Sequence, residues 1–329
     1  MHQIDYRDVE QAAARIDGLV RRVTLAPMDP GAVPGGSAAE PCEVWLALEY
    51  LQHTGSFKAR GAANFLTAHR LAGTLPQAGV TIASGGNAGL ACAWSARQQG
   101  VPATVFLPAN APDVKVAKLR GYGAKVVLTG SEYAHALAAC EEFAATSGAL
   151  ASHAYDHPLI AAGAGTLLDE IHAQLPGLDT VVVSVGGGGL FAGVAAAARR
   201  HGVRTVAVEP ENCRALNRAL EAGEPVDGPV DSIAADSLGA RRTSRMALDA
   251  ARQDGVRSVL VADADIVRAR RTLWDQHRIA VEHAAATALA ALTAPAPGTD
   301  TGAAYRPGPG ERVAVVLCGA NTDPADLAR

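Results

Sequence analysis

The chain has 329 residues, 49% hydrophobic and 19% charged, with a formal net charge of −4, enough apolar material for one large core or two moderate ones. That balance excludes a nucleic-acid-binding surface and an acidic disordered tail. Five scattered cysteines (Cys42, Cys92, Cys140, Cys213, Cys318) with no CxxC pair exclude a disulfide framework and a zinc ribbon.

The opening stretch MHQIDYRDVEQAAARI carries acids early and no continuous apolar block, so it reads as a helix rather than a secretory signal. No apolar run reaches membrane-spanning length, and a soluble, cytoplasmic protein without membrane or nucleic-acid partners is expected. After loop chemistry at Met28–Gly36, short runs rich in branched residues predict strands at Val44–Leu48, Val80–Ser84, Ala103–Leu107, Ala124–Leu128, Thr180–Val185, Arg204–Val208, Ser258–Ala262 and Val313–Cys318. Apolar residues at consecutive positions are expected of parallel strands covered on both faces. Helix-length segments lie between them, among them Asn87–Gln99, Pro112–Tyr122, Glu132–Thr146 and Leu190–His201. The Pro- and Gly-rich stretch Ala294–Glu311 predicts an exposed loop before the last strand. Strand then helix, repeated, means an α/β protein with open twisted, mostly parallel sheets.

Three glycine turns follow strands or precede helices. In TVVVSVGGGGLFAG a buried strand ends at Val185, Gly186, Gly187, Gly188 and Gly189 follow, and a helix begins near Leu190. Backbone N–H groups converging there, with a helix dipole behind them, suit an anion. No Lys-Ser/Thr follows, which rules out a Walker loop, and the spacing fits G-x-G-x-x-G only loosely. In TIASGGNAG, Ser84 and Asn87 bring polar groups to a helix N-terminus that can grip a carboxylate; taken alone, side-chain capping accounts for them. At the third turn, Lys58 sits between Phe57 and Ala59, and a desolvated ammonium becomes a nucleophile toward aldehydes. A lysine reaching solvent from a helix end is the commoner case. Cys318 closes the last strand, at the carboxyl end where ligands bind in such sheets, although a lone cysteine is ordinarily structural. Together, a reactive amine, a phosphate cradle and a carboxylate grip describe a site for pyridoxal phosphate and an amino acid.

The motifs TGSFKARG (Thr54–Gly61), SGGNAG (Ser84–Gly89), SVGGGGL (Ser184–Leu190) and VVLCGAN (Val315–Asn321) resemble, in order, those of the L-serine/L-threonine dehydratases among fold-type II pyridoxal-phosphate enzymes. The resemblance runs from about Leu48 to Asn321. It implies a large cofactor-binding domain (1–50 and 153–329), a small domain (51–152), a cofactor in the cleft between them, and a homodimer. It implies that Lys58 carries the cofactor and acts as catalytic base, that Phe57 lies against the pyridine ring, and that Asn87 bonds the ring 3′-oxygen. Gly186 to Gly189 match the phosphate cradle, and Ser84, Gly85, Gly86, Asn87 and Ala88 the loop holding the substrate carboxylate. Cys318 faces the ring nitrogen, and Ser237 packs on the other ring face. A thiol does not hold that nitrogen protonated as a carboxylate does, which suits elimination.

The implied reaction removes water from L-serine and/or L-threonine, giving a 2-oxo acid and ammonia. The alternatives are another lyase or a β-replacing synthase on a specialised hydroxyamino acid, or a silent cofactor-binding regulator; the presence of Lys58 argues against the last. Gly85 stands where racemising relatives carry serine, and Ala88 resembles the serine-preferring branch. His283 and Ala164 replace the usual Pro and Gln. In EPENCRA (Glu209–Ala215), Ala215 replaces a carboxylate of a divalent-metal loop, so no metal site is expected. A monovalent cation on main-chain carbonyls leaves little sequence trace and stays open. No appended regulatory module is expected after Asp323.

Overall fold

The computed structural model describes residues 4–37, 40–293 and 304–327. Its strands are β1 (Leu25–Pro27), β2 (Glu43–Ala47), β3 (Val80–Ala83), β4 (Ala103–Leu107), β5 (Lys125–Leu128), β6 (Leu150–Ala151), β7 (Thr180–Ser184), β8 (Arg204–Pro210), β9 (Val256–Val261) and β10 (Arg312–Val316). They form two sheets, ordered β1-β2-β10-β7-β8-β9 and β5-β4-β3-β6. Every pairing is parallel except β1 with β2. β10 enters between β2 and β7, with Val315 opposite Leu46 on one side and Val182 on the other. β3, β4 and β7 are buried at every position, as continuous apolar runs covered on both faces require. The edge strand β9 alternates.

All eight predicted strands are present. β1 and β6 went unforeseen, since three and two residues leave no readable apolar run. Of the predicted loop Ala294–Glu311, residues 294–303 lie outside the described residues. Its last part departs from the expectation: Tyr305 and Glu311 are buried. The Glu311 carboxylate accepts from the Tyr305 hydroxyl at 2.5 Å, the Thr180 hydroxyl at 2.7 Å and the Gly308 N–H at 2.7 Å. Satisfying that carboxylate draws the segment onto β7.

Three helices decide where the site residues stand. The helix Pro158–Gln174 packs against both Lys58–Leu71 and Gly189–His201, and glycines let the backbones touch. A Cβ on Gly61 would lie 2.7 Å from the Ile160 carbonyl oxygen, and one on Gly163 2.6 Å from that of Arg60. On the other seam, a Cβ on Gly165 would lie 2.5 Å from the Gly193 carbonyl oxygen, and one on Gly193 2.0 Å from that of Ala161. Arg60, wholly buried, braces the first seam. Its guanidinium bonds both Glu49 carboxylate oxygens (2.6 and 3.0 Å) and both of Glu170 (2.7 and 2.9 Å). It also donates to Thr166 Oγ1 and the Arg21 carbonyl.

Candidate active site

The loop before Lys58 is fastened to the end of β10. Thr54 and Gly55 take left-handed conformations (φ 64° and 73°), which turn the chain sharply enough for Ser56 to form an antiparallel bridge with Gly319. The Phe57 N–H donates to the Cys318 carbonyl at 3.0 Å and the Ala320 N–H to that of Gly55 at 2.9 Å. Asn321 Nδ2 donates to the Thr54 carbonyl at 2.7 Å. The Lys58 helix therefore starts beside Cys318, and Lys58 is its first residue, as the sequence predicts.

Lys58 Nζ donates to the Ala154 carbonyl (2.5 Å) and lies 4.8 Å from the centre of the Phe57 ring. Burial pushes its pKa down to about 8, against the opposing influence of Cys318 and Glu282. About a tenth of the amine is therefore uncharged at pH 7, far more than for an ordinary lysine, and the free amine is the form that captures an aldehyde. The Cys318 thiol goes the other way, pushed up to about 12 chiefly by burial and then by Glu282. It is a neutral group 3.6 Å from the Ser184 hydroxyl.

Gly186 to Gly189 follow β7 at the mouth of the helix Gly189–His201. Gly188 is the N-cap residue, at φ 91°, and no side chain caps the helix. This loop has no room for side chains. A Cβ on Gly187 would fall 2.3 Å from the Tyr155 ring, and one on Gly188 2.3 Å from the Ala247 methyl. Uncapped N–H groups over a helix dipole, kept bare by glycine, fit a phosphate, and the nearby amine fits the aldehyde of the same cofactor.

The turn after β3 differs from the capping account that its local sequence favours. Gly86 is the N-cap of the helix Asn87–Gln98, and no side chain caps it. Asn87 is engaged elsewhere: its Nδ2 donates to the Glu282 carboxylate at 3.0 and 3.1 Å, and its Oδ1 accepts from Asn321 Nδ2 at 2.7 Å. The N–H groups from Ser84 to Ala88 are thus left without a side-chain cap beside the cavity, suited to a carboxylate.

One cavity of about 540 Å³ joins these groups. Phe57, Lys58, Ser84, Gly85, Gly86, Asn87, Ala88, Gly186 to Gly189, Ser237 and Cys318 all line it, so every predicted site residue reaches the same space. Ser237 Oγ donates to Glu282 at 2.6 Å. Sequence reasoning missed Glu282, Ala154 and Tyr155. Glu282 stands one residue ahead of the helix His283–Ala290, and nothing near it in the sequence marks its role. Ala154 acts through its main chain and Tyr155 by lying against Gly187, neither of which leaves a pattern. Lys115 and Asp236 also line the cavity, joined at 2.9 Å.

The family model described as pyridoxal-phosphate-dependent enzyme matches residues 32–319. An L-threonine ammonia-lyase of Geobacter sulfurreducens is 38% identical over 252 residues, which are 76% of this chain and 62% of that relative, so the chain spans less than two thirds of its length. A phenylserine dehydratase of Ralstonia pickettii is 39% identical over 285 residues, 86% of this chain and 84% of that one. The structure of maize serine racemase superposes with a TM-score of 0.85 at 27% identity, covering 99% of this chain and 96% of the other. With the family match spanning most of the sequence and the amine, glycine cradle and uncapped turn meeting in one cavity, the chain belongs to the pyridoxal-phosphate-dependent enzymes.

Proposed function

We propose that the chain eliminates water from L-serine and/or L-threonine, releasing a 2-oxo acid and ammonia. The observation that carries this reading is the buried Lys58 amine, its pKa lowered to about 8, in one cavity with the bare glycine cradle and the uncapped Ser84–Ala88 turn. Relatives named for threonine deamination and phenylserine dehydration support a hydroxyamino acid as substrate.

Pyridoxal phosphate, when bound, supplies the electron sink that acidifies the substrate Cα–H. The chain's own groups do the rest. N–H groups of Gly186 to Gly189 would hold its phosphate, Phe57 would lie against the ring and Ser237 on the opposite face, and Asn87 would bond the ring 3′-oxygen by giving up part of its contact with Glu282. N–H groups of the Ser84–Ala88 loop hold the substrate carboxylate, which fixes the Cα–H toward Lys58. Lys58, as free amine, takes the α-proton and passes it to the β-hydroxyl, so that the Cβ–O bond breaks with water as the leaving group and Lys58 is returned to its free form. The enamine product hydrolyses to 2-oxo acid and ammonia. Cys318, a neutral thiol, would offer the ring nitrogen no anionic partner, which would favour departure of the β-hydroxyl over storage of charge on the ring.

The division of labour assigns 1–50 and 153–329 to a cofactor domain and 51–152 to a substrate-loop domain, in keeping with the two sheets. In the loop Glu209–Ala215, the Glu209 carboxylate accepts from the Leu216 and Asn217 N–H groups at 2.7 and 2.8 Å. Any cation there is monovalent and held by carbonyls. Stable turnover in EDTA, compared across potassium and sodium buffers, tests that assignment. A cytoplasmic site of action is supported by five unpaired thiols. A homodimer rests on the resemblance, and sedimentation tests it.

The deciding experiment compares wild type with Lys58→Ala for bound-cofactor absorbance and for 2-oxo acid release across hydroxyamino acids. A yellow, active wild type and a colourless, inactive variant are expected. A wild type that binds cofactor yet releases no keto acid from any substrate refutes the reading.

A further inference from the structure

The Glu282 carboxylate, buried at the cavity wall, gathers donors from three other segments. Asn87 Nδ2 reaches both its oxygens at 3.0 and 3.1 Å, Ser237 Oγ reaches one at 2.6 Å, and the Asn321 N–H the other at 2.8 Å. Asn321 also bonds the Asn87 side-chain oxygen and the Thr54 carbonyl, so the bracket runs from the turn after β3 to the loop ahead of Lys58. Glu282 is itself held from behind. Its N–H donates to the Gly319 carbonyl at 3.1 Å. Arg270 donates to the carbonyl of the preceding Val281 at 2.8 Å and to Oγ1 of Thr322, the neighbour of Asn321, at 2.9 Å. A carboxylate that accepts several good hydrogen bonds in a buried site holds its donors in one geometry.

We infer that Glu282 is a positioning residue, which through Asn87, Ser237 and Asn321 sets the gap between the turn that holds the substrate carboxylate and the Lys58 amine. The chemistry explains why an anion serves there. Asn87 is the first residue of its helix and part of the carboxylate-holding turn. A fixed Asn87 amide therefore fixes the N–H groups beside it. The same anion lies close enough to Lys58 to favour its charged form, opposing burial. A neutral side chain of the same size would release Asn87 and withdraw that influence together. Among the described residues Cys318 and Glu282 act on Lys58 and His153 faces it, and of these only Glu282 also brackets the turn.

The inference rests on the proposed elimination for one of its two readouts and is independent of it for the other. Full-length Glu282→Gln and Glu282→Asp are compared with wild type. The first readout is the pH dependence of the rate at which cofactor-free protein captures pyridoxal phosphate; the second is KM for L-serine or L-threonine. For Glu282→Gln, the capture midpoint falls by about one pH unit as the anion beside the amine is lost. KM rises about tenfold or more with the lost charge-assisted bonds. Glu282→Asp keeps the charge and loses reach, so its midpoint stays and its KM rises. A Glu282→Gln protein with wild-type midpoint, or with wild-type KM, overturns the inference. Should Glu282→Gln fail to fold, Glu282→Asp decides: raised KM at an unchanged midpoint supports the inference, and unchanged KM overturns it. If wild type turns over no hydroxyamino acid, the elimination falls while the midpoint still tests Glu282.

Discussion

Replacing Arg60 by Met is the sharpest test of how the Lys58 helix is held. The five N–H groups of the guanidinium reach six acceptor atoms, four of them carboxylate oxygens of Glu49 and Glu170. Glu49 is 1% exposed. Burial pushes the Glu49 carboxyl up and Arg60 is the largest influence holding it down, so without Arg60 its charge has little support beyond Gln52 Nε2 at 3.4 Å. Breaking a buried pair by removing one partner costs about 3–5 kcal/mol. An unfolding entropy of about 2.1 cal/mol/K per residue amounts to roughly 0.7 kcal/mol/K for a chain of this length, so the expected loss is about 6 °C in Tm. The sign with pH follows. In the variant Glu49 titrates in the folded state well above its unfolded value, so its protonated form supports the fold at low pH. That support disappears as pH rises through the folded value, and the deficit against wild type widens with pH. Calorimetry of the cofactor-free protein at several pH values measures this, and adding Glu49→Gln and Glu170→Gln recovers most of the loss because no lone charge remains. An Arg60→Met protein that melts within a degree of wild type at every pH refutes the account.

Other expectations concern the site itself. For wild type, the rate of cofactor capture rises with pH through about 8, because the reactive form of Lys58 is the free amine; stopped-flow absorbance reads the midpoint. Gly187→Ala places a methyl 2.3 Å from the Tyr155 ring, and fluorescence titration should show cofactor affinity at least tenfold weaker, with overpacking of about 1–3 kcal/mol as its cause. Gly193→Ala drives a methyl into the Ala161 carbonyl, so Tm falls, by about 1–3 kcal/mol in stability, although alanine is the better helix former. Lys115→Met severs a bridge to Asp236, which is 71% exposed. Its stability changes by less than about 1 kcal/mol in denaturant titration, while KM shifts because both side chains line the cavity.

Much of this architecture is legible in the sequence, and the reason is local. The strands show because a doubly covered parallel strand must be apolar at consecutive positions, and TVVVS is buried throughout. The glycine cradle shows because four glycines in a row at a strand end have few other uses. Lys58 is legible as a position and less so as a reagent, since its lowered pKa depends on burial, among others against a segment 96 residues away, at Ala154. The turn after β3 misleads when read alone, because Asn87 looks like a cap until Glu282, 195 residues on, is seen to claim it. Glu282 and Tyr155 escape for the same reason: each acts through a partner far along the chain. Tyr305 and Glu311 sit in a segment whose Pro and Gly content reads as loop, yet a shared carboxylate draws it inward.

The glycine seams carry a consequence for how such a molecule can change over time. The amine and the cradle ride on helices welded to a common third helix, with main chain meeting main chain at glycines that offer no side chain to be trimmed and no room for one to be added. The wall formed by Leu107, Lys115 and Tyr133 belongs to the other sheet and its helices, outside that weld. New tastes in substrate can therefore be acquired on one bank of the cleft by ordinary side-chain exchange, while the reactive bank stays in tune.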